Sequence, residues 1–326
     1  MPKTKILVTG TAGFIFSNFI RKAIFEQNKL KLEDQKYNFA SIDKITKSQV
    51  LNNIYQNKSH TFYIGDISDT HFMNVVFQFE KPDYVIHGAA ESFVDDSLKD
   101  PNKFINSNVL GTQILVNACV KWGVKRLIYI STDEVYGQLS SETDAPWTED
   151  SPMNPRNPYS ASKAAGELIV RAAQTSYGLE YNITRSSNNY GPRQTAEKLI
   201  PKVIKHINEG KKIPIYGQGL QIRDWTYVLD NCSGVLAVLE RGAPNETYNI
   251  SANQEYPNIE VVQNICNAMG KGHELMSFVD ERPGHDFRYS IDTSKIRNLG
   301  WSPNVKFKDG IIETVDWYQK NGWFLK

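Results

Sequence analysis

Short apolar runs alternate with longer segments of helical period through the first half of the chain. Residues 5–9 (KILVT) read as a strand, and residues 13–25 set Phe14, Ile15 and Phe19 among polar Asn18 and Lys22 at a spacing near 3.6. Residues 38–42, 62–64, 83–87, 125–130 and 180–184 predict further strands. Two long helices are predicted between them, at 101–122 (Phe104, Val109, Ile114, Leu115 and Ala118 in step) and at 160–177. Strands joined by crossovers of a dozen or more residues form right-handed βαβ units in a mostly parallel sheet. Ligands bind such α/β sheets beyond the carboxyl ends of the strands, so the residues that follow each strand are the ones to read for chemistry.

The texture changes near residue 186. Gly and Pro punctuate the second half (GPR, IPIYGQGLQIRDW, GAP, RPGHD), with helices predicted at 199–209 and 259–269. The expected organisation is a cofactor-binding domain over residues 1–185 and a smaller, mainly substrate-binding α/β lobe over 186–326, some of whose strands and helices return to the first sheet. The polar stretch 28–36 reads as a surface connector or a helix extension.

Composition narrows the function classes. Apolar residues at 40% and charged residues at 22% are ordinary for a globular protein and exclude disorder. Lys and Arg total 37 against 36 for Asp and Glu, so no general basic field exists to wrap a nucleic acid. Cys119, Cys232 and Cys266 lie far apart with no CxxC spacing, which fits a reducing compartment and argues against a structural zinc site. The start MPKTKILVTG lacks the apolar core of a secretory signal, and no run of 18 apolar residues occurs. A soluble, cytoplasmic protein with no bound metal and no membrane or nucleic-acid partner is expected.

Two groups of residues carry candidate chemistry. Gly10, Gly13 and Phe16 occupy a GxxGxxG pattern between the first strand and first helix, where two glycines permit a tight turn and backbone approach to a pyrophosphate. A plain strand–helix turn is the alternative, and the bulk of Phe16 is expected to reshape or loosen the cofactor site. Asp43, after the second strand, suits an adenosine ribose diol and favours NAD over its 2′-phosphorylated relative; a solvated turn carboxylate is its alternative. Asp66, after the third strand, is placed for an adenine-edge contact or a surface cap. The fifth strand ends in Ser131-Thr132-Asp133-Glu134-Val135-Tyr136-Gly137, and like-charge proximity can split an adjacent carboxyl pair into an acid and a base. Tyr159 and Lys163, four apart, share one helix face, and an ammonium beside a phenol favours the phenolate. Arg223, in QIRDW, suits a diphosphate; a buried pair with Asp224 is the alternative.

These motifs resemble the nucleoside-diphosphate-glucose 4,6-dehydratases of the extended short-chain dehydrogenase/reductase family. The resemblance runs the length of the chain, through TGTAGFIFSNF, GAAESFVDDS, STDEVYG, NPYSASKAAGE, RSSNNYGPRQTAEKLIPKVI, IYGQGLQIRDW, ERPGHDFRYSID and LGW, with STDEVYG the most specific. It implies a Rossmann-type doubly wound parallel sheet with a smaller C-terminal lobe, tightly bound NAD and a nucleotide-sugar substrate. It also implies a homodimer built on a four-helix contact, with segments 111–119 and 165–173 as the contributing helices.

Residue by residue, the resemblance implies that Tyr159 takes the proton of the sugar 4-hydroxyl, helped by Lys163, and that Thr132 bonds the 4-oxygen. Glu134 would remove the C5 proton and Asp133 would protonate the departing C6 hydroxyl. Phe14, Ile15, Lys44, Ile67 and Ala89 join Gly10, Gly13, Asp43 and Asp66 as implied cofactor contacts. Ser92, Asn188, Lys198, Leu199, Pro214, Tyr216, Arg223, Arg282 and His285 are the implied substrate contacts. The chain departs from the family at Phe16, at Phe93 (commonly histidine) and at Thr195-Ala196. A 4-epimerase or decarboxylase on the same scaffold is the runner-up, disfavoured by Asp133-Glu134, and a catalytically quiet paralogue is the third reading.

Overall fold

The structure, a computed structural model, describes residues 3–30, 34–46, 48–57, 60–281 and 286–325. Six strands of the main sheet follow in chain order: β1 (Thr4–Thr9), β2 (Tyr37–Asp43), β3 (His60–Ile64), β4 (Tyr84–His87), β5 (Arg126–Thr132) and β6 (Glu180–Ser186). The seventh is Glu246–Ile250, and the order across the sheet is Glu246–Ile250, β6, β5, β4, β1, β2, β3, every pair parallel. The order reverses between β1 and β4, opening a crevice at their carboxyl ends.

Helices cover both faces, which is why the central strands are buried almost end to end. On one face, α1 (Phe14–Asn28) and the helix Val228–Arg241 pack Phe16, Phe19, Ile20, Val235 and Val238 against Ile6, Val8, Ile86 and Ile128. On the other, the helices Thr70–Glu80, Gly111–Lys121 and Pro158–Tyr177 bring Phe77, Leu115 and Val170 onto Leu7, Val85, Leu127 and Tyr129. A third core lies in the second half, where the strands Asn188–Tyr190, Ile222–Tyr227 and Glu255–Pro257 form a small mixed sheet beside the parallel pair Ile213–Tyr216 and Met276–Val279. Arg282 and His285, and residues 31–33 of the polar stretch, lie outside the described residues.

The long helix expected over 101–122 is present and runs without a gap to Lys121, with one departure from regular α geometry. A short helix Val94–Lys99 ends at Asp100, whose side chain caps Pro101–Phe104. The turns at Ile105–Leu110 are π-helical before Gly111–Lys121 resumes. The wide turn releases Asn108 to bond both the N–H and C=O of Glu91, at 2.8 and 2.9 Å, and the Ser162 hydroxyl at 2.9 Å. A π-bulge of this kind commonly accompanies a functional site.

The glycine turn closes normally beside Phe16. Gly13 still donates to the Gly10 carbonyl at 3.1 Å, while the Phe16 ring, 3% exposed, turns into the sheet-side core. Room for it comes from Gly88, where a Cβ would lie 2.2 Å from the ring. Truncating a buried Phe costs about 3–5 kcal/mol, and an added side chain at 88 collides with the ring. In urea unfolding we therefore expect Phe16→Gly and Gly88→Leu each to destabilise strongly, and the double variant to be more stable than either single one. Simple additivity of the two losses would show that the positions are not complementary.

Candidate active site

A cavity of about 510 Å³ occupies the crevice. Gly10, Gly13, Phe14, Ile15, Asp43, Lys44, Ile67 and Ala89 line one end, and Thr132, Asp133, Glu134, Tyr159 and Lys163 the other. Ser92, Asn188, Lys198 and Leu199 also line it. The crevice thus gathers residues scattered over 190 positions of sequence.

The first end fits a dinucleotide. Gly10 sits at φ +81°, and a Cβ there would come within 2.7 Å of the Ala89 nitrogen, so the backbones approach as only glycine permits. Gly13 begins α1 with no side-chain cap, leaving the positive end of the helix for an anion. Asp43 accepts from the Ala12 N–H at 2.9 Å and the Ile45 N–H at 3.0 Å. Burial nonetheless holds its acidity constant above the usual carboxylate range, the two backbone bonds opposing it. A carboxyl so placed bonds a ribose diol and repels a 2′-phosphate. Asp66 is not on the cavity wall; it accepts from the N–H and hydroxyl of Ser68 and lies 3.7 Å from the Lys44 ammonium.

The other end holds the ionisable groups. Thr132 closes β5, and its hydroxyl donates to Asp133 Oδ1 at 3.2 Å and accepts from the Glu134 N–H at 3.3 Å. Asp133 Oδ2 is buried without a partner among the described residues. Burial, then the charges of Glu134 and Asp224, pushes the Asp133 carboxyl up to about 8, so it carries a proton at neutral pH. Glu134 is also raised by burial. It has what Asp133 lacks, an amide bond from Asn157 at 3.1 Å and the field of Lys198, while Arg223 favours the charged form of both carboxyls and Asp286 opposes it at Glu134. The two neighbouring carboxyls thus have unequal surroundings, Asp133 short of donors and Glu134 supplied with an amide and a cation.

The helix Pro158–Tyr177 starts in a capping box. Asn157 accepts from the Ser160 N–H at 2.8 Å, and Ser160 Oγ accepts from the Asn157 N–H at 3.2 Å. The cap holds Tyr159 and Lys163 at the cavity, where Phe104 meets the Tyr159 ring edge-on. Burial raises the Tyr159 phenol well above its ordinary range, with Glu134 adding to the effect, and lowers the Lys163 ammonium to about 7.

Three implied substrate contacts lie off the cavity wall. The Arg223 guanidinium is buried, donates to the carbonyls of Ile222, Phe287 and Asp286 at 2.7, 3.2 and 2.8 Å, and stacks on Tyr289. It holds backbone there and makes no direct pair with Asp224 among the described residues. Pro214 and Tyr216 sit on the strand Ile213–Tyr216, also off the wall. Sequence reasoning missed Asn157, for which Asn-Pro ahead of Tyr-x-x-x-Lys is a readable cap signal. It also missed Asn108, Glu91 and Lys103; Glu91 bridges Lys44 and Lys103 at 3.0 Å each across the cavity mouth.

The raised Asp133 carboxyl predicts a pH effect on stability. From the unfolded carboxylate range near about 4 up to about 8, the folded state keeps a proton that the unfolded chain has lost, so stability falls as pH rises through that window. Asp133→Asn should match the wild type below the window and gain on it progressively up to about pH 8, by on the order of a few kcal/mol, in denaturant titrations at stepped pH. A constant difference across pH would mean that the carboxyl is not held neutral.

The model of a family described as GDP-mannose 4,6 dehydratase matches residues 7–314. A dTDP-glucose 4,6-dehydratase of Xanthomonas campestris pv. campestris (strain ATCC 33913) is 42% identical over 337 residues, covering 97% of this chain and 93% of that protein. One from Streptomyces niveus is 41% identical, covering 97% and 93%. DesIV, a dTDP-glucose 4,6-dehydratase of Streptomyces venezuelae solved with NAD bound, superposes with a TM-score of 0.91 at 38% identity over 99% of each chain. Among the described residues, no helix is long and apolar enough to cross a membrane, and no three His, Cys, Asp or Glu side chains are grouped to hold a metal ion.

Proposed function

This chain belongs to the GDP-mannose 4,6-dehydratase family, and from that premise we propose that it converts a nucleoside-diphosphate-glucose to its 4-keto-6-deoxy form plus water. The chemistry explains the site. The C5 proton of a hexose is not acidic, so water cannot leave C5–C6 directly. A carbonyl at C4 makes that proton removable, elimination yields an enone, and hydride return to C6 completes a redox-neutral cycle.

NAD, held by Gly10, the start of α1 and Asp43, supplies the hydride acceptor at C4 and the donor at C6. Tyr159 takes the C4 hydroxyl proton while Thr132 bonds that oxygen. The phenol is raised in the cofactor-free cleft, so its ionisation depends on cationic charge close by, which Lys163 and the oxidised cofactor bring. Glu134, whose charged form Asn157 and Lys198 favour against the effect of burial, removes the C5 proton. Asp133, protonated at neutral pH, delivers its proton to the leaving C6 hydroxyl. The observation that carries the reading is this adjacent, unequally partnered carboxyl pair in one cavity with Tyr159 and Lys163. A 4-epimerase needs no acid at C6 and no base at C5.

The protein is expected to act as a homodimer through helices Gly111–Lys121 and Pro158–Tyr177, and apolar Ile105, Leu110 and Leu168 stand about half exposed on these helices and the adjoining π turn. Leu168→Glu should convert a dimer to a monomer in sedimentation velocity; an unchanged sedimentation coefficient would move the interface elsewhere.

The activity is tested by incubating the protein with dTDP-glucose and with UDP-glucose, separately, in heavy water with NAD and following mass. Loss of one water with one deuterium gained at C5 is expected, and unchanged substrate in both tubes would sink the reading. Tyr159→Phe should lose C4 oxidation, and Asp133→Asn and Glu134→Gln should reduce NAD in a single turnover but stall before elimination. A Glu134→Gln enzyme with full dehydration would remove Glu134 as the base.

A further inference from the structure

Lys163 poses an electrostatic problem that the catalytic scheme leaves open. Its side chain is 4% exposed, and a buried ammonium needs compensation. The carboxylate on its own helix, Glu167, favours the ammonium through its field but makes no bond to it, being gripped by Arg185 from β6 through Nε at 3.0 Å and a second nitrogen at 2.7 Å. His87, facing from β4, is bonded to Thr9 and Thr112. Burial, with the Lys163 charge, lowers it to about 3, so it is neutral. Tyr159 lies one turn back on the same helix and faces Asp133 and Glu134 across the cleft. From β5 comes Tyr129, whose ring centroid lies 4.4 Å from Lys163 Nζ.

We propose that Tyr129 is a positioning residue, its ring face serving as the counter-charge that holds the Lys163 ammonium at the floor of the cleft. The ring has no freedom to do otherwise. Its hydroxyl donates to the Lys163 carbonyl at 3.3 Å, and its edge meets His87 with centroids 5.7 Å apart. It fits under the helix only because residue 166 is glycine, where a Cβ would lie 2.0 Å from the phenol oxygen.

A π face differs from a carboxylate in two useful ways. It stabilises the cation without fixing it in an ion pair, and it engages one side of the ammonium, leaving the other N–H donors for the cleft. Arg185 completes the arrangement by holding Glu167 back. The assignment rests on the catalytic reading for its purpose, but its physics exists in the cofactor-free protein.

The test uses that independence. Protein labelled with [13C,15N]lysine, without cofactor, is titrated by NMR, the Lys163 signal being assigned from its loss in Lys163→Met. Tyr129→Phe is expected to leave the midpoint near the wild-type value. Replacing Tyr129 by phenylalanines with one, two and three ring fluorines, which weaken the π face without changing its shape, should lower the midpoint stepwise, by about one pH unit in all. Tyr129→Leu should lower it as far, if it folds. A midpoint indifferent to fluorination would overturn the proposal. In the NAD-loaded enzyme, the alkaline limb of kcat should move down by the same steps with KM unchanged. Stepwise midpoints in a protein that consumes no sugar nucleotide would defeat the dehydratase reading and leave this one standing.

Discussion

The energetic cost of removing ionisable groups from water governs this cleft. Asp133, Glu134, Tyr159 and Lys163 all sit where burial disfavours their charged forms, and each is then adjusted by what lies within a few ångströms. Asp133, with one hydroxyl donor and an unpartnered oxygen, stays neutral; Glu134, with an amide and two cations nearby, is drawn back towards its charge. The scaffold's task is to supply those neighbours in register. It does so with rigid parts: a strand end for Thr132, a capping box for Tyr159, and a π turn that ties Asn108 to the Glu91 backbone and Ser162.

The outer parts of the site depend on small residues meeting large ones. Gly10 lets two chain segments touch at the cofactor turn, Gly88 accepts the Phe16 ring, and Gly166 accepts the Tyr129 hydroxyl. Each glycine is required by a specific neighbour, and in two of the three that neighbour is an aromatic ring whose own position shapes the cleft.

Much of the site was readable because parallel α/β sheets display function at strand ends. Asp43, Ala89 and Thr132 follow β2, β4 and β5 or close them, and a strand pattern of modest accuracy was enough to place them. Relations between distant residues were harder to read. The compatibility of Phe16 with the turn was written in Gly88, more than seventy positions on, and no local rule links them. The helix over 101–122 was legible in its apolar period, but the π turn around Asn108 was not, because it goes with a bond from that side chain to the distant Glu91 backbone. The three carbonyls that Arg223 bonds, from Ile222, Asp286 and Phe287, were likewise not legible in its own segment QIRDW. Composition and spacing count donors; they do not show which acceptors arrive first.

The seventh strand has a bearing on how the chain is made. Glu246–Ile250 pairs only with β6, and the helix Val228–Arg241 supplies half the cover on the α1 face. During synthesis the first six strands leave the ribosome some sixty residues before their last partner. Until then β6 presents an unpaired edge and α1 an apolar flank, the surfaces through which nascent chains find wrong partners. A protein whose cleft wall is drawn almost wholly from its first two hundred residues therefore cannot be shielded until its second half has emerged.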